Sequence, residues 1–206
     1  MNTGFTVPPL KETYAGLFFL LAGSLIFMGI ITAEIFYPAG YTTANSEISD
    51  LGATRPPDSI SYQPSATIFN GTMILAGLLI IGGSLLLLRN KSERVFKLFH
   101  LLLGIGVLGV GLFPGNVAVI HPIFALIAFI SGGLSCILSW KMTKSPLKFV
   151  FVILGGVTLL FLFLQSFFIP ILGDGGTERF VAYPVVIWLI GFGGFLTGKH
   201  ETPEEI

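Results

Sequence analysis

Long apolar runs separated by short polar segments dominate the chain. A hydrocarbon core about 30 Å thick needs roughly 20 apolar residues in a helix. Six segments reach or approach that length, at about residues 14–37, 65–88, 95–113, 119–140, 147–169 and 180–197. The runs are apolar on all sides rather than alternating, which favours helices over barrel strands. The pattern predicts an all-α polytopic membrane protein, with residues 1–206 forming one domain of six transmembrane helices.

Composition supports this prediction. The chain is 53% hydrophobic and 11% charged, with a mean hydropathy of +0.87, whereas a soluble domain is about 25% charged. Soluble and disordered classes are therefore excluded. Eleven basic residues balance eleven acidic ones, so charge gives no reason to expect a nucleic-acid partner. The single cysteine, Cys136, cannot form an internal disulfide, and its apolar setting predicts a buried, inert thiol.

The basic residues predict an orientation. Nine fall on one side of the predicted helices: Lys11, Arg89, Lys91, Arg94, Lys97, Lys141, Lys144, Lys148 and Lys199. Only Arg55 and Arg179 fall on the other side. Because loops rich in Lys and Arg stay in the cytoplasm, both termini are expected in the cytoplasm. The protein itself is expected in the cell membrane. Loops near residues 38–64, 114–118 and 170–179 are expected outside.

The first external loop is long, and its polar residues predict a short helix. Asn45 or Ser46 can cap the start of this helix, and Gly52 can end it. Ile48 and Leu51, three residues apart, would then share one face. We expect the helix to lie flat on the outer mouth of the bundle.

Glycine is abundant in the apolar runs. Gly111 and Gly115 have the four-residue spacing that lets helix backbones approach closely, as do Gly194 and Gly198. Packing within the chain is the favoured interpretation, and a homodimer contact is the alternative.

Three residues are candidates for acid/base chemistry. Glu34 lies near the outer end of the first helix, Asp50 lies in the long loop, and His121 begins the fourth helix. Ionisable residues within a membrane are functional candidates, although Glu34 could also reach outer water or pair with Arg55 or Arg179. No metal site is predicted, because two-histidine zinc spacing is absent.

Further polar residues on the predicted outer side are candidates for binding a ligand or a lipid headgroup: Glu47, Ser49, Arg55, Asp174, Glu178 and Arg179. An arginine could hold a phosphate. The alternative is that these side chains are only solvated loop residues.

Several runs resemble a known family. Ile48-Ser-Asp-Leu-Gly-Ala, Pro56-Pro57 and Thr67-Ile-Phe-Asn are similar to a prokaryotic multi-pass membrane family, domain of unknown function 998, as are Leu112-Phe-Pro, His121-Pro-Ile-Phe-Ala, Glu178-Arg-Phe-Val-Ala-Tyr-Pro and Gly191-Phe-Gly-Gly. The pattern in the long loop is more distantly similar to the eukaryotic autophagy modulators and to proteins that remodel the lipid of GPI anchors. The resemblance implies a role in membrane lipid organisation or lipid-anchor maturation, without established catalytic residues.

Two functions remain open. The first is a non-catalytic protein that binds or organises membrane lipid or a membrane-protein partner, such as an accessory subunit. The alternative is an intramembrane lipid-modifying enzyme with an outward-facing acid/base or metal site. A transporter is the weakest hypothesis, because few polar residues fall at mid-membrane. The sequence indicates no particular cofactor.

Overall fold

A computed structural model describes residues 10–88 and 94–198, which contain helices and no strands. The six helices are α1 (Leu10–Ile35), α2 (Ser65–Leu88), α3 (Arg94–Leu112), α4 (Ile120–Leu138), α5 (Leu147–Phe163) and α6 (Gln165–Gly198). Short 3-10 turns occupy Ser49–Leu51 and Ser139–Lys141. Five of the described helices are long and apolar enough to cross a membrane, and α5 is shorter. The all-α polytopic prediction is confirmed.

The six helices close into a ring in chain order. Each helix packs against the next one along the chain, and α6 packs back against α1. The connections 36–64, 113–119 and 164 therefore lie at one end of the ring, which we call the long-loop end. The connection 139–146 lies at the opposite end. Large apolar side chains such as Met28, Leu78 and Ile153 are exposed on the outside of the ring, where lipid tails would cover them.

An aromatic cluster fills the ring at mid-height and toward the end opposite the long loop. The rings of Phe19, Phe96, Trp188 and Phe192 lie 4.1–5.7 Å from the buried His100 imidazole, measured between centroids. Trp188 Nε1 donates a hydrogen bond to Ser139 Oγ at 3.0 Å. Buried aromatic rings in contact add packing energy beyond the area they cover, so this cluster holds α1, α3 and α6 together.

Glycines bring neighbouring helices into backbone contact. A Cβ on Gly77 of α2 would lie 2.5 Å from the Leu108 nitrogen of α3, and one on Gly111 would lie 2.7 Å from the Asn70 oxygen of α2. The packing of Gly111 within the chain is therefore confirmed. Gly198 has open space instead, with nothing within 4 Å of a Cβ, so a contact between copies there stays a prediction.

The predicted fifth span is wrong in its length. It was expected to reach residue 169, but α5 ends at Phe163 and a new helix begins at Gln165. Leu164, between the two helices, has φ −107° and ψ 23°, which are not helical. A second break follows at Gly173, whose φ of 75° and ψ of 170° are not helical. The segment 165–172 therefore forms a short helical arm before the long part of α6.

The short helix predicted in the long loop is only a 3-10 turn, Ser49–Leu51. No side chain caps it in the predicted way. Ser46 Oγ instead accepts a hydrogen bond from the Thr42 amide at 3.1 Å, which closes an earlier turn. Residues 45–47, where the predicted helix would begin, are not helical, because polar side chains here bond to local backbone groups instead.

The orientation of this turn agrees with its apolar spacing. Ile48 and Leu51 are both buried, so their predicted common face is confirmed. Gly52 follows the turn, and its amide donates to Ser49 O at 3.0 Å. The turn therefore plugs the long-loop end of the ring with two apolar side chains rather than lying loosely on its surface.

Basic residues are separated between the two ends. Lys141 and Lys144 are exposed near the end opposite the long loop, and Lys148 Nζ lies 4.6 Å from the centroid of the Trp140 ring. Lys97, counted with the basic residues of that side, is 3% exposed at the start of α3. Arg89, Lys91 and Lys199 lie outside the described residues, as does the side chain of Arg94. Orientation in the cell stays a prediction.

Candidate functional site

Arg179 joins α6 to α1 and to the long loop. Its Nη1 donates to the backbone oxygens of Thr43, Ser46 and Gly175 at 2.9, 2.9 and 3.0 Å. Its Nη2 donates to Glu34 Oε1 at 2.7 Å and to the Tyr41 hydroxyl at 2.7 Å. The residue is 8% exposed. The guanidinium offers five N–H donors in a fixed plane, and this arrangement commits its two terminal nitrogens to the protein.

Glu34 lies at the end of α1 and pairs with Arg179. An ion pair with Arg179 was one of the alternatives for Glu34, and the structure contains it. Tyr41 completes this contact, because its hydroxyl accepts from Arg179 and donates to Glu47 O at 3.1 Å. Burial raises the pKa of the Tyr41 hydroxyl well above its usual value, and Arg179 opposes that shift. Tyr41 thus stays protonated and can keep donating.

Glu47 forms a second charged group near the loop. Its Oε1 lies 2.5 Å from Arg55 Nη2, and its Oε2 accepts from Ser49 Oγ at 3.4 Å. Arg55 is mostly exposed, with 67% of its side chain accessible, whereas Glu47 is largely covered. Burial raises the pKa of the Glu47 carboxyl, Arg55 lowers it, and the nearby carboxylates of Asp50 and Asp174 raise it. Glu47 is therefore a carboxylate crowded by negative charge.

Asp50 supports the loop from within. Its Oδ2 accepts from the Glu47 amide at 2.9 Å, which stabilises the start of the 3-10 turn. Burial raises the pKa of the Asp50 carboxyl, while that hydrogen bond lowers it. Burial raises the pKa of the Tyr37 hydroxyl, and the Asp50 carboxylate adds a smaller increase. These contacts give Asp50 a local role in holding the loop.

Glu178 connects α6 to the same turn. Its Oε2 accepts a hydrogen bond from the Ile48 amide. The side chain also lines both cavities described below. Glu178 thus does two things: it fixes the plug formed by Ile48, and it gives the interior of the ring a carboxyl group.

His121 is buried at the start of α4, with 6% exposed. Its Nδ1 lies 2.7 Å from Phe113 O. A carbonyl oxygen can only accept, so in the neutral ring Nδ1 carries the proton and Nε2 keeps a lone pair. No hydrogen bond to Nε2 is formed by the described residues. The histidine lines both cavities, where this acceptor is available to a ligand.

A deep cavity lies inside the ring below the 3-10 turn. Its volume is about 80 Å³, and its wall reaches Ile26 on α1, Leu103 on α3 and Leu189 on α6. Polar side chains enter its lining only at the long-loop end: Ser49, His121 and Glu178. Such a cavity suits an apolar group, because water needs several polar partners.

A larger cavity of about 470 Å³ adjoins it, between α4, the end of α5 and the start of α6. Its lining is amphipathic. Polar side chains come from the long loop and from α6: Glu47, Ser49, Arg55, Gln165, Ser166, Asp174, Thr177 and Glu178. Apolar ones come from α4, α5 and the arm: Leu126, Phe129, Leu162 and Ile169. We call this cavity the groove.

The groove and the deep cavity share part of their walls. Ser49, His121, Ala125, Phe129 and Glu178 line both. Leu126, which lines the groove alone, is 48% exposed on the outer surface of the ring. The groove therefore begins at the lipid-facing surface between α4 and α5 and leads past His121 to the apolar interior.

The structure divides the candidates predicted from sequence. It brings six of them to the groove: Glu47, Ser49, Arg55, His121, Asp174 and Glu178. It places Arg179, Glu34 and Asp50 in neither cavity lining, although their polar contacts hold the loop that covers the cavities. The acid/base trio is thus not assembled around a single cavity. Within the described ranges, no cluster of three His, Cys, Asp or Glu residues could hold a metal ion.

Sequence reasoning missed three contributors. Tyr41 had no signal beyond its place in a polar loop. Gln165 and Ser166 line the groove because α5 ends earlier than predicted and a new helix starts there. Two adjacent polar residues inside a predicted span were the one available sign of that break.

Comparison with known proteins identifies the family. A family model described as "Protein of unknown function (DUF998)" matches residues 21–194. No curated protein and no solved structure matched the chain, and the distant likeness to the eukaryotic six-helix group stays a prediction. The matched region contains all six helices in whole or in part, the long loop and both cavities, and the chain belongs to this family.

Proposed function

We propose that this protein is a non-catalytic membrane protein that holds one lipid molecule, with its polar head in the groove and its apolar chains extending from the groove into the bilayer; the deep cavity, at about 80 Å³, can take only a few methylene groups of one chain. The observation that carries the proposal is the pair of adjoining cavities, one amphipathic and one almost wholly apolar. Ligand sites are typically concave and mostly apolar, with a few polar groups that fix orientation. This pair has that character.

The position of the groove supports a lipid rather than a water-soluble ligand. Its outer rim includes Leu126 on the lipid-facing surface. Toward water, the long loop covers the deep cavity, held by Arg179 and Glu178, and the polar part of the groove lies beside the exposed Arg55 and Asp174. An amphiphile can reach the groove sideways from the bilayer with its head remaining at the long-loop end.

The experiment places a larger side chain in the lining that the groove and the deep cavity share. Ala125 lines both cavities, so Ala125→Phe places a ring where the lipid would pass. Lipid retained by the purified full chain is measured by native mass spectrometry. We expect the wild type to retain lipid, and Ala125→Phe to retain about tenfold less, equivalent to about 1.4 kcal/mol.

Ala118→Phe is the matched control, because Ala118 is exposed just before the same helix and lines neither cavity. It should retain lipid as the wild type does. Circular dichroism and size-exclusion chromatography verify that both variants are folded. Equal retention by a folded Ala125→Phe variant would overturn the proposal.

A lipid-modifying enzyme is the second candidate, and one observation favours it. His121 offers an unbonded Nε2 at the wall shared by both cavities, beside Ser49 and Glu178 in the same lining, and histidine is a common general base. Incubation with a membrane lipid extract, followed by mass spectrometry of the products, tests this. Product formation that His121→Gln abolishes, while lipid retention persists, would favour the enzyme over the binding protein.

For the orientation, we propose a cell-membrane location with both termini in the cytoplasm and the long loop outside. The separation of Lys141 and Lys144 from Arg55 supports this arrangement. Cysteine at the exposed Asp58 should react with an impermeant maleimide in intact cells, and cysteine at Ser145 only after permeabilisation. Cys136 is buried and gives little background. The reverse labelling pattern would overturn the orientation.

A further inference from the structure

We infer that the headgroup held in the groove carries an ammonium group, so that an amine lipid is preferred over an anionic lipid. This inference rests on the proposed function and names its ligand class. It departs from the expectation that an arginine holds a phosphate. The charges that remain available once the internal contacts have formed decide this preference.

The two arginines of the long-loop end are already engaged. Arg179 lines neither cavity, and its terminal nitrogens make five hydrogen bonds to protein oxygens. Arg55 lines the groove, but its guanidinium lies 2.5 Å from Glu47. A phosphate would have to compete with that carboxylate for the single available guanidinium.

The acidic groups of the groove are in excess. Glu47 is matched by Arg55, whereas Asp174 is exposed and has no ion pair among the described residues. Glu178 adds a further carboxyl group to the same lining. Because Glu178 Oε2 is already engaged by the Ile48 amide and Glu47 by Arg55, the Asp174 carboxylate is the group that favours a cation in this space.

His121 gives an independent indication of the ligand. It is more than nine-tenths buried, and its Nε2 is a hydrogen-bond acceptor without a partner at the wall of both cavities. Because His121 lines the cavities, a ligand donor that enters them can pair with this acceptor. A primary ammonium group has three N–H donors and no acceptor. It can therefore satisfy His121 and the carboxylates together.

The test compares headgroups on identical acyl chains. The purified full chain is incubated in mixed micelles with equal amounts of phosphatidylethanolamine and phosphatidylglycerol, and bound lipid is counted by native mass spectrometry. We expect phosphatidylethanolamine to be bound about tenfold more than phosphatidylglycerol. Equal binding, or a preference for phosphatidylglycerol, would overturn the inference while leaving lipid binding itself intact. Absence of any bound lipid would instead contradict the proposed function.

Substitutions test which residue causes the preference for phosphatidylethanolamine. Asp174→Asn removes one carboxylate of the groove and should lower the preference for phosphatidylethanolamine by at least threefold. Asp58→Asn is the matched control, because Asp58 is an exposed aspartate of the long loop that lines neither cavity, and it should leave the preference unchanged. An unchanged preference in Asp174→Asn would contradict the assignment.

Competition with free ethanolamine separates a lipid from a soluble amine. Because ethanolamine lacks the apolar chains that contact the groove and the bilayer, millimolar ethanolamine should displace little of the bound lipid. Complete displacement would mean that a soluble amine is the ligand, which would overturn the lipid assignment.

Discussion

Replacement of Arg179 by alanine should destabilise the protein and release the long loop. The side chain contributes one ion pair with Glu34, one hydrogen bond to Tyr41 and three to backbone oxygens. Two of those oxygens belong to Thr43 and Ser46 in the loop itself. Alanine would leave the Glu34 carboxylate and these acceptors without their donor.

The magnitude follows from burial. Arg179 is 8% exposed, and removal of one partner of a buried ion pair typically costs about 3–5 kcal/mol. We expect a loss near that range in the free energy of unfolding. Arg179→Lys should recover only part of it, because an ammonium group cannot reproduce the planar fork that reaches several oxygens at once.

Two measurements check this prediction. Unfolding by increasing sodium dodecyl sulfate in mixed micelles gives the free energy, and limited proteolysis reports whether residues 38–64 become accessible. Arg55→Ala is the matched control: its side chain is 67% exposed, so its ion pair should contribute about 0–1 kcal/mol. A cost for Arg179→Ala no larger than that of Arg55→Ala, with an equally protected loop, would refute the reasoning.

Three further predictions follow from the packing and the charges. Gly77→Ala should destabilise the ring by about 1–3 kcal/mol, because its Cβ would lie 2.5 Å from the Leu108 nitrogen. Gly71→Ala is the control on the same helix: its Cβ would meet nothing within 4 Å, so the variant should be neutral or gain about 0.4–1 kcal/mol. Unfolding in detergent measures both free energies. Gly173→Ala should destabilise the start of α6, since φ is 75° there and a Cβ would meet the Ala44 oxygen; an unfolding midpoint equal to that of the wild type would contradict this. The pKa of Glu47 is raised in the folded state, chiefly by burial, so the folded protein holds this proton more firmly and its stability falls as the pH rises from the ordinary carboxyl pKa through the raised one. Relative to the wild type, Glu47→Gln should therefore gain stability as the pH rises above the ordinary carboxyl pKa, and a difference that does not change with pH would show that Glu47 does not contribute.

The sequence predicted the features that depend on the bilayer. Helices are the only way to satisfy backbone groups in hydrocarbon without a closed barrel, so the apolar runs gave α1 to α4 within a few residues. The buried pair Ile48 and Leu51 followed from their spacing alone. Neither prediction depended on a contact between distant parts of the chain.

The features that sequence reasoning missed depend on such contacts. The break between α5 and α6 lies at Leu164, inside a long apolar run, so hydropathy alone does not locate it. The assignment of Arg179 to an internal role requires knowledge that Thr43 and Ser46 lie beside it, more than 130 positions away in the chain. The cavities arise from the ring as a whole, so their lining could not be read from any one segment.

The plug formed by Ile48 and Leu51 determines which ligand concentration sets the occupancy of the site. Because this plug covers the deep cavity, and the groove beside it includes the exposed Leu126, an apolar ligand enters the site from the surrounding leaflet. Its saturation should then depend on the mole fraction of ligand among neighbouring lipids, and diluting the sample at a fixed lipid-to-protein ratio should leave occupancy unchanged.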